Sequence, residues 1–215
     1  MAITTDREFR VGAGLFVAFL FLTVFVVAGW TQALDDAWRD LMAANETPWL
    51  VSVAEVFHYL GGVPIALATS VLITVAFMAM RKWWAVAVWV AMVAGAQVLS
   101  TITKILVERP RPIDGLVHES SASYPSGHAM VSGAAIGIGF AVIVGVIWPR
   151  RHHLFLGLGI AYAVVMAWSR TYLRAHWLTD VVGGLLFGTA IVLVVAALAI
   201  RRRGGTQDRV GDPDE

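Results

Sequence analysis

Long apolar runs recur along almost the whole chain, and they leave little choice of fold. They occupy residues 11–30, 63–80, 83–106, 128–148, 154–173 and 178–200. Each is near the roughly 20 residues that a helix needs to cross a bilayer core. A helix satisfies its own backbone hydrogen bonds, which lipid cannot do for it. Charge is scarce to match: 14% of the residues are charged and 58% hydrophobic, against about 25% charged in soluble domains. The pattern therefore predicts an all-α, integral-membrane bundle of six transmembrane helices over residues 1–203. A polar tail over 204–215 is expected to be disordered. The first run exceeds the ~7–15 residues of a signal peptide's apolar core and no A-x-A site follows it, so it reads as a retained span. Only the second span is hard to bound. Residues 49–80 are too long for one crossing and are interrupted by Gly61, Gly62 and Pro64, so a kink or helix start is expected near Pro64.

Basic loops give the expected orientation. Arg7 and Arg10, Arg81 and Lys82, Arg150 and Arg151, and Arg201, Arg202 and Arg203 fall on one side of six spans. The side rich in lysine and arginine is the cytoplasmic one. Both termini are therefore expected to be cytoplasmic in a multi-pass protein of the cell membrane. The first loop on the other side carries Asp35, Asp36, Asp40 and Glu46 against Arg39 alone. Lys104, Arg109, Arg111, Arg170 and Arg174 run against this bias, since all five fall on the outer side. Cations placed there need a local reason.

All five lie in or beside three polar stretches: residues 104–112 (KILVERPRP), 124–128 (YPSGH) and 169–180 (SRTYLRAHWLTD). Lys104 ends the third span and Arg111 sits in the loop after it, where Pro110 and Pro112 oppose a helix. Arginine grips phosphate oxygens with two parallel N–H bonds, and lysine adds a point charge. Ser126, Gly127 and His128 lead into the fourth span. Backbone N–H groups at a helix start face an anion, glycine allows close approach, and serine adds a hydroxyl. His128 is then placed for proton transfer. His176 and Asp180, four apart, share a helix face. The carboxylate can take one imidazole N–H and leave the other nitrogen free to attack phosphorus. Arg170, at the outer end of the fifth span, supplies a third cation.

A single cation near a span end is usually a snorkelling anchor; three of them with two histidines and Pro-Ser-Gly-His call for phosphate. Arg109 and Arg174 flank the pattern and are expected to be solvated or to meet lipid headgroups, with a substrate role as the alternative. Glu55 and His58 are expected at the membrane interface, with lining of the substrate cleft as the alternative. Glu108, Asp114, Glu119 and Asp180 make no obvious two-metal cluster, which agrees with the absence of any metal or cofactor that the family resemblance below implies. The absence of cysteine excludes disulfides and thiolate chemistry.

The three stretches resemble the type 2 phosphatidic acid phosphatase superfamily, which includes bacterial acid phosphatases and the vanadium haloperoxidases. Its pattern is Lys, six residues, Arg-Pro; then Pro-Ser-Gly-His; then Ser-Arg, five residues, His, three residues, Asp. Here those positions are Lys104 with Arg111-Pro112, Pro125 to His128, and Ser169-Arg170 with His176 and Asp180. No pattern position departs. The resemblance implies a metal-independent lipid phosphatase. His176 would be the nucleophile that forms a phosphohistidine, Asp180 would orient it, and His128 would protonate the leaving oxygen. Lys104, Arg111, Ser126, Gly127 and Arg170 would bind the phosphoryl group. The substrate would be an amphiphilic lipid phosphate or pyrophosphate at the extracytoplasmic face, such as undecaprenyl pyrophosphate, phosphatidic acid or phosphatidylglycerol phosphate. No nucleic acid and no obligatory protein partner are expected, only membrane lipids. Two other classes remain open on the residues: a lipid or anion transporter using the same cationic site, and a catalytically inert binding protein. The intact His128, His176 and Asp180 weigh against both.

Overall fold

In the computed structural model, which describes residues 5–210, the apolar runs wind into helices and no strand occurs among the described residues. The order is α1 (Thr5–Val27), α2 (Gln32–Ala44), α3 (Pro48–Gly61), α4 (Val63–Ala79) and α5 (Trp83–Val107). Then come α6 (His128–Ile147), α7 (His152–Tyr172) and α8 (Leu178–Val210). Five of them, α1, α5, α6, α7 and α8, are long and apolar enough to cross a membrane. α3 and α4, bent by 56° where they join, make a sixth crossing if the pair spans as one. The bend falls where the sequence places it. Gly62 leaves α3 in extended backbone (φ −64°, ψ 152°), and Pro64 stands in the first turn of α4, where its missing N–H costs no helical bond.

Burial sorts the helices into a centre and a periphery. α6 is the centre, with 72% of its apolar window buried, whereas only 17% of the α1 window is. α5, α7 and α8 pack around α6, and α1 lies along the outside of α8. Outward side chains such as Phe21, Val24, Leu72 and Leu158 are exposed, as a lipid-solvated surface requires. α6 begins as a π-helix over His128–Ile138 and continues as an α-helix over Gly139–Ile147.

Small residues let α8 approach the start of α6. A methyl group on Gly184 would fall 2.7 Å from the Ser126 carbonyl oxygen, a backbone atom that cannot swing aside. Gly184→Ala is expected to destabilise the protein by about 1–3 kcal/mol. Thermal unfolding in detergent should register this as a Tm lower by roughly 2–10 °C.

The outer loop differs from the sequence reading. The acidic outer loop contains a helix, α2, amphipathic enough to bury Asp35 and Met42 while Asp40 stays exposed. It packs against α7 and α8. The expected disordered tail is described only to Val210, and up to that residue the backbone remains in α8; residues 211–215 lie outside the described residues. Arg201 pairs with Asp6, so the start of α1 and the far part of α8 share one end of the bundle. The polar stretches gather at the opposite end.

Candidate active site

Four segments converge there: the last turn of α5, the loop from 108 to 127, the start of α6, and the turn between α7 and α8. α5 ends as Glu108 adopts left-handed backbone (φ 48°), which turns the chain back across the bundle. Lys104, Arg111, Gly127, His128 and His176 line one cavity of about 840 Å³, within the range of ligand pockets.

His176 is nearly inaccessible, at 3% exposed, and both ring nitrogens are engaged. Arg111 Nη1 donates to Nε2 at 3.1 Å. Guanidinium only donates, so Nε2 carries the lone pair and Nδ1 the proton. Nδ1 then donates to Asp180 Oδ2 at 3.3 Å. Burial first, then the positive charges of Arg111, Arg170 and Lys104, hold the pKa of His176 well below 6.5. The ring is therefore neutral near pH 7, with its lone pair beside the cavity.

Asp180 is fully buried and saturated with donors. Its Oδ2 also accepts from the Trp177 N–H at 2.9 Å and from the Ser123 hydroxyl. Arg109 Nη1 donates to Oδ1 at 2.7 Å. Breaking a buried pair of this kind by deleting one partner typically costs about 3–5 kcal/mol.

The cations are held by backbone oxygens and one carboxylate. Arg111 donates through Nε to the Ser121 carbonyl and through Nη1 to the Ala175 carbonyl, each at 2.7 Å, and burial lowers its pKa. Lys104 donates to the Ala122 carbonyl. Arg170, fully buried, reaches Glu119 Oε1 at 2.6 Å and His58 Nδ1 at 2.7 Å. Its Nε is buried without a hydrogen-bond partner. His128 Nε2 lies 3.0 Å from the His58 carbonyl, an acceptor, so that nitrogen bears a proton. Ser126 is the predicted residue whose hydroxyl turns elsewhere: it is fully buried and its Oγ accepts from the Ala129 N–H at 3.5 Å.

Three expectations are corrected by these contacts. Arg109 and Arg174 are neither solvated nor at headgroups, being 8% and 7% exposed. Arg174 ties the α7–α8 turn to Glu46 at 2.6 Å and to Asp114 at 2.9 Å. His58 does not sit idly at the interface; it stacks on His128 with ring centres 5.5 Å apart. Ser123, Glu119 and Asp35 join the site without a signal in the sequence, because no spacing rule links them to the motif residues. Among the described residues, His58, Glu119 and His128 come nearest to a metal-binding set, with ligand atoms within 4.8 Å of one another. The Arg170 guanidinium faces two of the three, and that positive charge opposes a divalent ion.

The chain is similar to known proteins in sequence and in fold. The chain is 30% identical over 185 residues to phosphatidylglycerophosphatase B of Bacillus subtilis, covering 84% of this chain and 91% of that protein. It is 31% identical over 103 residues to the undecaprenyl-diphosphatase of Sulfolobus acidocaldarius, covering 45% and 46% of the two chains. The crystal structure of a transmembrane PAP2-type phosphatidylglycerolphosphate phosphatase from Bacillus subtilis superposes with a TM-score of 0.79 at 26% identity, over 94% of this chain and 98% of that one. The PAP2 superfamily profile itself matches residues 82–203, a stretch that carries Lys104, Arg111, His128, Arg170, His176 and Asp180. The chain belongs to the PAP2 superfamily, as a multi-pass membrane phosphatase.

Proposed function

We propose that this protein hydrolyses lipid phosphates or pyrophosphates at the extracytoplasmic face of the membrane through a phosphohistidine on His176. One observation carries the reading: a neutral imidazole whose Nδ1 faces Asp180 and whose Nε2 meets Arg111 at the wall of a cationic cavity. In the proposed reaction Nε2 attacks phosphorus and the bond to the leaving oxygen breaks. That oxygen takes a proton from His128, which enters this step as the imidazolium and becomes neutral by giving up the Nε2–H that the leaving oxygen must win from the His58 carbonyl. Water then attacks the phosphohistidine, gives a proton back to His128, and frees phosphate and His176. Lys104, Arg111 and Arg170 neutralise the charge that builds on the equatorial oxygens.

The cavity supports a lipid substrate. Below the cations its walls are apolar, formed by α4 and α5 residues such as Leu67, Val71, Val90 and Val93. Leu67 and Val71, which line it, are 63% and 53% exposed, which supports a cavity that opens sideways to the hydrocarbon. A headgroup can meet the cations while its chains stay in lipid. The names of the relatives make phosphatidylglycerol phosphate and undecaprenyl pyrophosphate the first substrates to try, with phosphatidic acid beside them.

Purified protein in detergent with EDTA should release phosphate from members of that panel. No release from any of them by folded protein would overturn the reading. The membrane face is tested separately. The chain lacks cysteine, so His118→Cys gives a unique label in the loop over the site. Labelling by an impermeant maleimide from outside intact cells is expected; labelling only after permeabilisation would place the site in the cytoplasm.

A further inference from the structure

Behind the nucleophile lies a buried chain of charge that the proposed reaction leaves unused. Arg109 donates through Nη1 to Asp180 Oδ1 at 2.7 Å and through Nη2 to Asp35 Oδ2 at 2.6 Å. Thr179 closes the cluster: its N–H donates to Asp35 Oδ1 at 2.9 Å and its hydroxyl to Asp35 Oδ2 at 2.7 Å. The same hydroxyl accepts from Arg109 Nη1 at 2.8 Å. Both carboxylates are fully buried and the guanidinium nearly so, with Arg109 packed 5.6 Å from the Trp177 ring. The outer carboxylate comes from α2, a helix that contributes nothing to the phosphate cavity.

The charge count gives this arrangement a purpose. Two carboxylates share one guanidinium, leaving one net negative charge in a site shut off from water. With Asp180 alone on Arg109 the pair would be neutral and would offer the imidazole little. Asp35 draws part of the guanidinium's charge away and leaves Asp180 negative toward His176. Attack on phosphorus makes the imidazole ring positive, and a negative neighbour stabilises that change. The same cluster fixes the angle of Asp180, since Arg109 holds Oδ1 while Oδ2 meets His176. We infer that Asp35 and Arg109 are positioning residues of the phosphoryl-transfer site, with Asp35 acting from α2 through Arg109 on Asp180. The inference rests on His176 being the nucleophile.

Asp35→Asn keeps the shape and removes the charge. The expected result is a kcat lower by about 10- to 100-fold, as when the outer partner of a buried histidine is lost. KM should stay within about twofold, because Asp35 touches no phosphate ligand. The pH profile adds a readout that mere loosening of the fold would not move. His176 faces Asp180 and Ser123 on one side, and Arg111, Lys104, Arg170 and His128 around the cavity. Weakening the one negative influence in that set should displace the acid limb of kcat/KM to lower pH. If Asp35→Asn does not fold, Arg109→Lys carries the test through the same split of kcat from KM, since lysine cannot bridge two carboxylates. Wild-type kcat in either folded variant overturns the inference, as does a loss of kcat with an equal rise in KM and an unmoved acid limb. His176→Ala run alongside separates the two levels. If it keeps turnover, the phosphohistidine reading fails. If it is inactive while Asp35→Asn turns over like wild type, the positioning role alone fails.

Discussion

The His176→Ala protein is expected to release phosphate from its lipid substrate at least about four orders of magnitude more slowly than wild type, a loss of roughly 5.5 kcal/mol of transition-state stabilisation. Nothing else in the cavity can take over the attack. The remaining imidazole, His128, has Nε2 committed to the His58 carbonyl, and Lys104 is cationic and tied to the Ala122 carbonyl. Substrate binding should survive, because Lys104, Arg111 and Arg170 are untouched, so the mutant should compete for substrate without turning it over. Radiolabelled phosphate that is lost from the wild-type chain in acid, retained in base, and absent from the mutant would identify the N-linked intermediate. EDTA should alter neither protein. The acid limb of the wild-type rate is expected at lower pH than for a free imidazole. Burial and the surrounding cations push the pKa of His176 below 6.5, so the nucleophile stays unprotonated as the pH falls through the ordinary histidine range. A limb at or above pH 6.5 that vanishes with His176 would contradict this.

Asp180→Asn should cost nearly as much, about 10³–10⁴-fold in kcat, the scale seen when a triad carboxylate becomes an amide. Oδ2 accepts from the His176 ring, the Trp177 N–H and the Ser123 hydroxyl, while Oδ1 accepts from Arg109. An amide has one oxygen for four donors. If its NH2 faces His176, the ring must carry its proton on Nε2, and the attacking lone pair is lost. If its NH2 faces Arg109 instead, two donors collide in a dry site. KM should move little, and folding should survive because Arg109 keeps Asp35 as a partner. Steady-state kinetics in detergent would show the split. A variant with unchanged kcat would remove Asp180 from the mechanism.

The bundle and the motif residues were legible in the sequence for one reason: each leaves a mark of fixed length or spacing. A membrane crossing needs some twenty apolar residues in a row, so α5, α6 and α7 appear within a few residues of their expected bounds. Proline and paired glycines announced the bend between α3 and α4. His176 and Asp180 lie one helical turn apart, and the Pro-Ser-Gly-His run announces a helix start. Asp35 had no such mark. In the sequence it is one acid among several in an outer loop; only the fold of α2 buries it against Arg109. His58 looked like an interfacial polar residue because nothing local says that α3 turns it toward Arg170. Arg109 and Arg174 looked like surface charges because their partners, Asp180 and Glu46, lie 71 and 128 positions away. Contacts made across such distances depend on packing, which spacing along the chain does not encode.

A sideways opening between α4 and α5 would leave the two products of the proposed reaction in different solvents. A lipid phosphate would enter as one molecule, and cleavage would yield a membrane-bound lipid and inorganic phosphate. The first dissolves in hydrocarbon through the gap beside Leu67 and Val71, and the second dissolves in water. Each is then diluted in a phase the other barely enters. Rejoining them would require both phases to deliver a molecule to the cavity at the same moment, so partition itself would favour the forward direction.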